Sequence, residues 1–259
     1  MSETVEKEPF VSIITITYNA AGEIAPTVKS VAEQSCRDFE HIIIDGASTD
    51  DTLSTAHKAA RHELRILSER DNGLYDAMNK GLRMARGRYL LFLNAGDTFH
   101  SNETLRLYKE GSKLTDGKPA DIIYGDTVVV DRERRVIGPR HLSVPERLTY
   151  ESFSRGMLVC HQAFMVRRKL APEYDTSYRF SADYDWTLFC LRRSSADRNV
   201  NLHTVTIDYL SDGLTDKNHR ASLMERFDIM RRHFGLGVTL MRHAAFVPRA
   251  ILRKFSRKG

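Results

Sequence analysis

Four short polar segments, each just after an apolar run, constrain the fold of this 259-residue chain most strongly. They are TYNA at 17–20, DGASTDD at 45–51, NAGD at 94–97 and SADYDW at 181–186. The first three follow the β-type runs VSIITI, HIIID and YLLFL. In an open parallel α/β sheet, ligands bind at the carboxyl ends of the strands. These three polar tips are therefore predicted to share one crevice, whose carboxylates and amides would hold phosphates through a divalent cation.

Strands and helices alternate over the first hundred residues. Strands are predicted at Phe10–Ile16, Phe39–Ile44, Leu64–Leu67 and Tyr89–Leu93, with helices at about 22–34, 48–62 and 74–85. Such short connections imply right-handed βαβ units and a mostly parallel sheet, hence an α/β fold. After residue 120 the pattern changes to a smaller mixed region. It has short strands at 121–124, 127–130 and 135–137, a hairpin tip at 131–134, a helix at 183–193 and a strand at 205–209.

Composition and charge exclude several classes of protein. No run of 18 uncharged apolar residues occurs, so no membrane-spanning helix is predicted, and the polar start MSETVEKEPF is unlike a secretory signal. Three widely spaced cysteines favour buried thiols in a reducing compartment. Residues 220–259 hold ten Lys and Arg against two acids, a net +8; because the whole chain is +5, residues 1–219 sum to −3. A slightly acidic body argues against nucleic-acid binding.

We predict one domain over residues 1–219, with a donor half at about 10–100 and an acceptor half at about 120–215. A helical basic tail at 220–259 follows. Residues 236–259 place apolar side chains on one helix face and arginines on the opposite face, which is typical of a membrane-surface helix. The alternative is a terminal helix that packs on the body.

The first two polar segments contain candidate nucleotide-binding residues. Asp45 at a strand end can accept a hydrogen bond from a nucleobase imide or a ribose hydroxyl, or it can cap the turn that follows. Tyr18 and Asn19 end the first strand, where an aromatic face can stack on a base. The alternative for that pair is a simple strand-to-helix turn.

Two other segments offer carboxylates for metal binding and proton transfer. Asp97 at the fourth strand end is a natural ligand for Mg²⁺ or Mn²⁺, together with phosphate oxygens and water. Its alternative is a turn aspartate beside Gly96. Asp183 and Asp185 lie at a helix start, where one can act as general base for a hydroxyl nucleophile and the other can cap or orient. Favourable placement at the helix macrodipole accounts for at least one of them.

These segments together resemble the family 2 inverting glycosyltransferases, which have the GT-A type nucleotide-diphospho-sugar transferase fold. The quoted motifs are VSIITITYNA, DGASTDDT, ERDNGLYDAMNKGLRMARG with FLNAGD, and SADYDW, and the likeness spans about residues 10–215. Bacterial enzymes of capsule, exopolysaccharide and O-antigen assembly are especially similar. Each motif is weak alone, but four in this order and spacing are specific.

The resemblance implies a role for individual residues. Thr17 and Tyr18 would line the nucleobase pocket with Asn19, Asp45 would hold the imide, and Asp71 would contact the nucleoside. Asp97 would carry the divalent metal that bridges the diphosphate, and Asn94 is a further candidate donor-binding residue. Asp183 would be the catalytic base, and His161, Gln162 and Asp185 would border the acceptor. The sequence departs from the family pattern at the fourth strand end, where many relatives have Asp-x-Asp or a double Asp and this chain has Asn94 and Gly96 before Asp97. It departs again at Ala182, where relatives often have Glu.

The predicted function is therefore inverting transfer of a sugar from a nucleotide-diphospho-sugar to a hydroxyl of a glycan acceptor, lipid-linked, in cell-surface polysaccharide synthesis. A UDP-sugar is favoured by family habit, and the cofactor is a divalent metal. The location expected is cytoplasmic, peripheral at the inner face of the membrane through the tail. Two alternatives remain. One is a non-catalytic nucleotide-sugar binding module, which Asn94 favours; the other is a sugar nucleotidyltransferase, which the loop TYNAAGEI disfavours because it has one glycine and no basic residue.

Overall fold

The first half of the chain forms four parallel strands with helices between them. The computed structural model describes residues 8–211 and 219–244. The elements are β1 (Val11–Thr17), α1 (Ile24–Ala32), β2 (Phe39–Asp45), α2 (Thr52–Ala59), β3 (Leu64–Ser68), α3 (Leu74–Met84) and β4 (Tyr89–Phe92). The strands pair in the order β3-β2-β1-β4, all parallel. The α/β class and the alternation predicted from the sequence are confirmed.

The second half extends the same sheet with mixed pairing. Its elements are β5 (Thr98–Phe99), α4 (Thr104–Gly111), β6 (Ile122–Val130), β7 (Val136–Pro139), β8 (Phe164–Arg167), α5 (Ala182–Arg193), β9 (Asn199–Leu210), α6 (His219–Phe234) and a helix, α7, at 236–244. From β4 the order continues β8-β6-β9-β5, with β7 beside β6. Strand β8 is antiparallel to both neighbours, and β9 is parallel to β6. One sheet therefore joins the two halves of the chain.

Strand β6 differs from the sequence prediction. Two short strands with a turn at Gly125 were expected, but the structure has one strand over Ile122–Val130. Gly125 does not break the strand; it allows close approach of β9, since an added Cβ would lie 2.5 Å from Thr206 Cγ2 and 2.9 Å from the Thr204 carbonyl oxygen. The ladder with β9 shifts register just after this position. The glycine thus serves packing inside a strand.

The core lies along both faces of the central strands. All seven residues of β1 are buried, as expected for a strand with layers on both sides. Helix α3 packs directly on β1 at Gly81, where an added Cβ would lie 2.5 Å from Ile14 Cγ2. This close packing fixes α3, and with it the segment 69–73 that leads into the helix, against the sheet.

The C-terminal helices pack beside the start of α5. The Glu225 carboxylate accepts hydrogen bonds from the backbone N–H groups of Arg179 and Phe180, both at 2.8 Å. The side chains of Ser181 and Ser222 are 3.0 Å apart. Of the predicted basic tail, residues 245–259 lie outside the described residues. Among the helices that the structure describes, none is both long and apolar enough to cross a membrane.

Candidate active site

The ends of β1 and β2 form one side of the crevice. Thr17 and Asp45 are partners in the parallel register, so their side chains lie at the same edge of the sheet. The loops that follow are joined by hydrogen bonds: Asn19 N–H donates to Ser48 Oγ at 2.8 Å, and Thr49 N–H donates to Asn19 Oδ1 at 2.9 Å. The Asn19 amide oxygen therefore holds the two loops together, and a donor contact for Asn19 stays a prediction.

Asp45 is completely buried and largely occupied by its neighbours. Oδ2 accepts from Ser48 N–H at 3.0 Å and from the Ser68 hydroxyl at 2.6 Å, and Oδ1 accepts from the Ser48 hydroxyl. A carboxylate has about four acceptor positions, so these three bonds leave room for one more. The turn-capping interpretation of Asp45 accounts for most of its bonds, and contact with a ligand remains a prediction for the remaining position.

Gly46 brings Tyr18 and Asp71 together next to Asp45. An added Cβ on Gly46 would lie 2.7 Å from Asp71 Oδ2 and 3.2 Å from Tyr18 Cδ2. The Tyr18 side chain is 64% exposed, so a ring face is accessible for stacking on a base. Asp71 Oδ1 accepts from Gly73 N–H at 2.9 Å. Three of the predicted nucleotide-binding residues thus surround one glycine, although they are far apart in sequence.

Asp97 lies on the turn after β4 and is only 4% exposed. Its Oδ1 accepts from Leu210 N–H at 3.0 Å, and Gln162 is hydrogen-bonded to the same carboxyl. Burial raises the pKa of Asp97 to about 7, against the opposing effects of the Leu210 N–H, the Arg134 charge and Gln162. The desolvation cost therefore outweighs the bonds that the protein supplies to the charged form.

Two buried polar atoms at the strand ends have no hydrogen-bond partner among the described residues. They are Thr17 Oγ1 and Asn94 Oδ1. Buried polar groups nearly always have a partner, and leaving one without costs about 1–3 kcal/mol. Both atoms lie at the ends of β1 and β4, where a polar ligand bound in the crevice would supply the missing partner.

The residues around Asp97 fit a divalent cation only as part of its shell. No group of three His, Cys, Asp or Glu side chains within 8–211 and 219–244 is arranged to hold a metal. Asp97 and Asn94 are joined across one turn, with Asp97 N–H donating to the Asn94 carbonyl at 3.0 Å. Their side chains offer carboxylate and amide oxygens, which suit Mg²⁺ or Mn²⁺. The other ligands would come from a diphosphate and water.

Asp183 lies at the first turn of α5 and is partly exposed. Its Oδ1 accepts from the Tyr75 hydroxyl at 3.2 Å and from Tyr184 N–H at 2.9 Å. Oδ2 has no hydrogen-bond partner among the described residues. One oxygen is thus held in place, and the other is available to accept a proton.

His161 and Gln162 connect Asp97 with Asp183. Gln162 bonds to Asp97, while the charge of Asp183 acts on the adjacent His161. Burial lowers the pKa of His161 to about 4, even though Asp183 raises it, so the ring is neutral near pH 7. Its Nε2 is 2.7 Å from the Tyr174 hydroxyl. The two predicted acceptor-side residues thus lie between the predicted metal ligand and the predicted base.

Asp185 has a different environment from Asp183. Its Oδ1 is 2.8 Å from His233 Nε2, and both side chains are 5% exposed. This contact joins α5 to α6 and gives Asp185 a structural partner. Its predicted place on the acceptor side stays a prediction.

Two residues in the site were not predicted from the sequence. Tyr75 holds Asp183, and Arg134 acts electrostatically on both Asp97 and Asp208. Arg134 is half-buried at the tip of the β6–β7 hairpin with φ 64°, and its Nη1 is buried without a partner among the described residues. Next to it, Arg132 reaches Glu23 at the start of α1, at 3.8 Å. The sequence signal for Arg134 was its basic side chain at the predicted hairpin tip, in a chain whose strand ends are acidic.

Known proteins that are similar in sequence identify the family of this chain. A model of the family "Glycosyl transferase family 2" matches residues 12–174. The chain belongs to this family. A family 2 relative, the "PGL/p-HBAD biosynthesis glycosyltransferase" of Mycobacterium bovis, is 34% identical over 220 residues, which are 81% of this chain and 82% of the relative.

Solved structures show the same GT-A type fold. S. aureus TarS 1-349 in complex with UDP-GlcNAc superposes with a TM-score of 0.64 at 19% identity, over 85% of this chain and 64% of that one. A mannosyltransferase from Pyrobaculum calidifontis in complex with GDP-Man and Mn²⁺ has a TM-score of 0.59 at 18% identity, over 98% of this chain and 81% of that one. The chain spans 38% of a longer TarS chain. At these identities the likeness shows the fold alone.

Proposed function

We propose that this family 2 glycosyltransferase is an inverting enzyme that moves a sugar from a nucleoside diphosphate sugar to a hydroxyl of a glycan acceptor. The observation that carries the proposal is the Asp183 carboxylate, which has one oxygen held by Tyr75 and Tyr184 and the other without a partner. His161 and Gln162 link it to the buried Asp97. A proton acceptor and a diphosphate-binding group would thus flank one cavity.

The chemistry follows as a single displacement. The acceptor hydroxyl attacks the anomeric carbon from the face opposite the nucleotide, and Asp183 Oδ2 takes its proton. The bond to the diphosphate breaks as the new glycosidic bond forms, so the anomeric configuration inverts and no enzyme nucleophile is required. A divalent cation bound at Asp97 would stabilise the charge of the leaving diphosphate. Arg134, whose buried Nη1 has no partner in the described part of the chain and which acts electrostatically on Asp97, would stabilise the same charge.

The donor is proposed to be a UDP-sugar bound along the edge formed by Tyr18, Asp45 and Asp71. The accessible Tyr18 ring suits stacking, and Asp71 lies beside it. Structural neighbours hold UDP-GlcNAc and GDP-Man, which supports a nucleoside diphosphate sugar in general. A thermal-shift comparison of UDP-, GDP- and dTDP-sugars, each with and without Mn²⁺, tests this choice, because a ligand that binds the native state raises its stability.

The acceptor is proposed to be lipid-linked, with the enzyme at the inner face of the cytoplasmic membrane. Most of the exposed large apolar side chains of the described chain lie on α6 and α7: Leu223, Met224, Leu236, Leu240 and Met241. Helix α6 also binds the segment before Asp183 through Glu225. An apolar, basic helical surface next to the base would place a membrane-embedded acceptor close to Asp183.

The Asp183→Asn variant tests the proposal. Asn keeps the size of the side chain but cannot accept the proton, so we expect transfer to fall by about 10³-fold. Donor binding by calorimetry should change less than about threefold, since Asp183 does not contact the donor in this mechanism. Product NMR should show inverted anomeric configuration for the wild type.

Asp185→Asn is the matched control. It removes the charge opposite His233 and keeps the size of the side chain, so we expect a lower Tm. Because Asp185 does not take the proton in this mechanism, transfer at permissive temperature should fall far less than for Asp183→Asn. If Asp183→Asn transfers at the wild-type rate, the base lies elsewhere. If the wild type binds donor tightly but transfers to no acceptor or water, the second candidate, a nucleotide-sugar binding module, is favoured. The loss of a carboxylate at Asn94 is the observation behind that candidate.

A further inference from the structure

A basic cleft lies at the end of the sheet opposite the active site. Its floor includes Phe10, just before β1, and Tyr89, the first residue of β4. The strand ends that carry Asp45 and Asp97 are at the other end of the same strands, and β1 alone is seven residues long, or roughly 20 Å. The cleft has a volume of about 750 Å³, which is in the size range of small-molecule sites.

Seven cationic side chains and one acidic side chain line this cleft. Three of the cations have carboxylate partners: Lys109 with Asp38 at 2.6 Å, Arg167 with Asp121 at 3.0 Å, and Arg168 with Glu8 at 3.2 Å. The other four are Arg88, Lys113, Lys118 and Lys169, and no ion pair involving them occurs in the described part of the chain. This concentration stands out because residues 1–219 have a net charge of −3.

The cations come from separate parts of the fold that meet around an aromatic floor. Arg88 precedes β4, Lys113 and Lys118 lie in the loop after α4, and Lys169 follows β8. The Arg88 guanidinium is 5.8 Å from the centre of the Phe10 ring. Like charges repel each other, and a concave surface of one sign raises the local concentration of counter-ions. Such a surface is most stable when an anion with several charges occupies it.

We propose that this cleft binds a ligand with several closely spaced phosphate groups. The concave shape fits a phosphate chain or a phosphorylated headgroup better than it fits a flat surface, and four unpaired cations match several negative charges in one molecule. The site is separate from the donor site and does not depend on the proposed glycosyl transfer. The phosphates come either from a soluble molecule or from a lipid headgroup, and the two sources are distinguished by experiment.

The test uses inorganic tripolyphosphate and the full chain. Calorimetric titration is done with the wild type, with K113E/K118E/K169E and with the neutral K113Q/K118Q/K169Q. All three side chains are exposed, so both variants should fold, and circular dichroism checks this. We expect the Glu variant to bind about thirtyfold more weakly and the Gln variant to lie between it and the wild type. Binding by the wild type should weaken with added salt.

The control variant is K29E/K58E/R61E, which makes the same charge change on and just after α1 and α2, at residues that do not line the cleft. It should bind tripolyphosphate as the wild type does. Equal affinity of the cleft variants and the wild type would overturn the proposal, as would an equal loss in the control. Flotation with phosphatidylcholine vesicles, with and without a polyisoprenyl diphosphate, then identifies the source: binding that needs the diphosphate lipid, is displaced by tripolyphosphate and is absent in the Glu variant supports a headgroup, and loss of tripolyphosphate binding alone supports a soluble ligand.

Discussion

The two sides of the crevice differ in how their polar groups are satisfied. On the Asp45 side, formed by Thr17, Tyr18, Asp45, Gly46 and Asp71, the Asp45 carboxylate has three bonds to neighbouring serines, although the buried Thr17 Oγ1 has no partner among the described residues. On the Asp97 side, formed by Asn94, Asp97, Arg134 and Asp183, three buried or held atoms lack partners within residues 8–211 and 219–244: Asn94 Oδ1, Arg134 Nη1 and Asp183 Oδ2.

Polar groups that already have protein partners shape the site, whereas polar groups without one would gain their hydrogen-bond partner from a bound ligand. A buried group with its partners contributes about 1 kcal/mol net, whereas an unpartnered one costs more than that. The Asp45 carboxylate is therefore preformed, and the unpartnered atoms, most of them on the Asp97 side, carry a cost that binding of donor or cation would offset. Substitutions on the two sides should have different consequences, and the predictions below test that.

After Asp183→Asn, the largest effect is expected from Arg134→Ala. If Arg134 stabilises the leaving diphosphate, kcat should fall about 100-fold, or roughly 3 kcal/mol in the barrier, as for loss of one preorganised charge-stabilising donor. The KM for the donor should change less. Arg134→Lys should recover part of the rate because it restores the charge. Ala and Lys meet the same positive φ that Arg already adopts, so backbone strain is unchanged.

Arg132→Ala is the control for that experiment, because Arg132 lies on the same hairpin tip, is 73% exposed and has Glu23 3.8 Å away. Its kcat should stay within about twofold of the wild type. A drop in Tm for Arg134→Ala with an unchanged kcat would show that the hairpin cation serves the fold alone.

The next effect concerns the pH dependence of stability in metal-free protein. Burial raises the pKa of Asp97 to about 7, above the value near 3.9 of an unfolded aspartate. The folded state therefore holds this proton more tightly. Its stabilising contribution is complete below about pH 4 and is lost as pH rises to about 7, at roughly 1.4 kcal/mol per unit of pKa difference.

Asp97→Asn removes this titration while it retains an oxygen for Leu210 N–H. Urea unfolding in EDTA at pH 5 and pH 8 should show the wild type losing about 2–3 kcal/mol more than the variant over that interval. Adding Mn²⁺ at pH 8 should stabilise the wild type and not the variant. Parallel pH profiles for the two proteins would mean that water reaches Asp97 and that the Asp97 side is not desolvated.

Gly46→Ala tests the shape of the Asp45 side. The added Cβ would lie 2.7 Å from Asp71 Oδ2. Either Asp71 must move away, or the methyl group must take space from the proposed nucleoside site beside it. We expect the donor KM to rise about tenfold, or ~1.4 kcal/mol, with kcat nearly unchanged, because uniform binding is lost. Gly22→Ala is the control, since an added Cβ there meets nothing within 4 Å. An unchanged donor KM would place the nucleoside elsewhere.

The sequence predicted the Asp45 side better than the Asp97 side, and the physical reason is locality. Apolar runs of β-branched residues followed by polar tips define β1, β2 and β4, and parallel pairing then aligns their ends. The partners of Asp97 come from distant parts of the chain: Leu210 N–H, Gln162 and Arg134. The spacing of apolar residues within a single strand or helix gives no information about such long-range contacts. Strand β8 and helix α4 were also missed, because their short segments have no distinctive pattern.

The two aspartates at the start of α5 show the same limit of sequence-based prediction over a distance of only two residues. The helix at Ala182–Arg193 follows from its sequence, but i,i+2 spacing could not decide which aspartate is held for chemistry. The structure separates them by their partners: Tyr75 reaches Asp183, and His233 reaches Asp185. Both partners lie on other helices, which only the fold brings near.

The smallest effect is expected from Ser68→Ala, which decides between the two interpretations of Asp45. The substitution removes the hydroxyl that donates to Asp45 Oδ2 at 2.6 Å and leaves both Ser48 bonds intact. Stability should fall by about 1 kcal/mol. If Asp45 also binds the donor, a less restrained carboxylate should weaken donor affinity about threefold to fivefold in calorimetry. If Asp45 only caps its turn, Tm will fall and donor affinity will stay the same, because the remaining Ser48 bonds are sufficient to hold that turn.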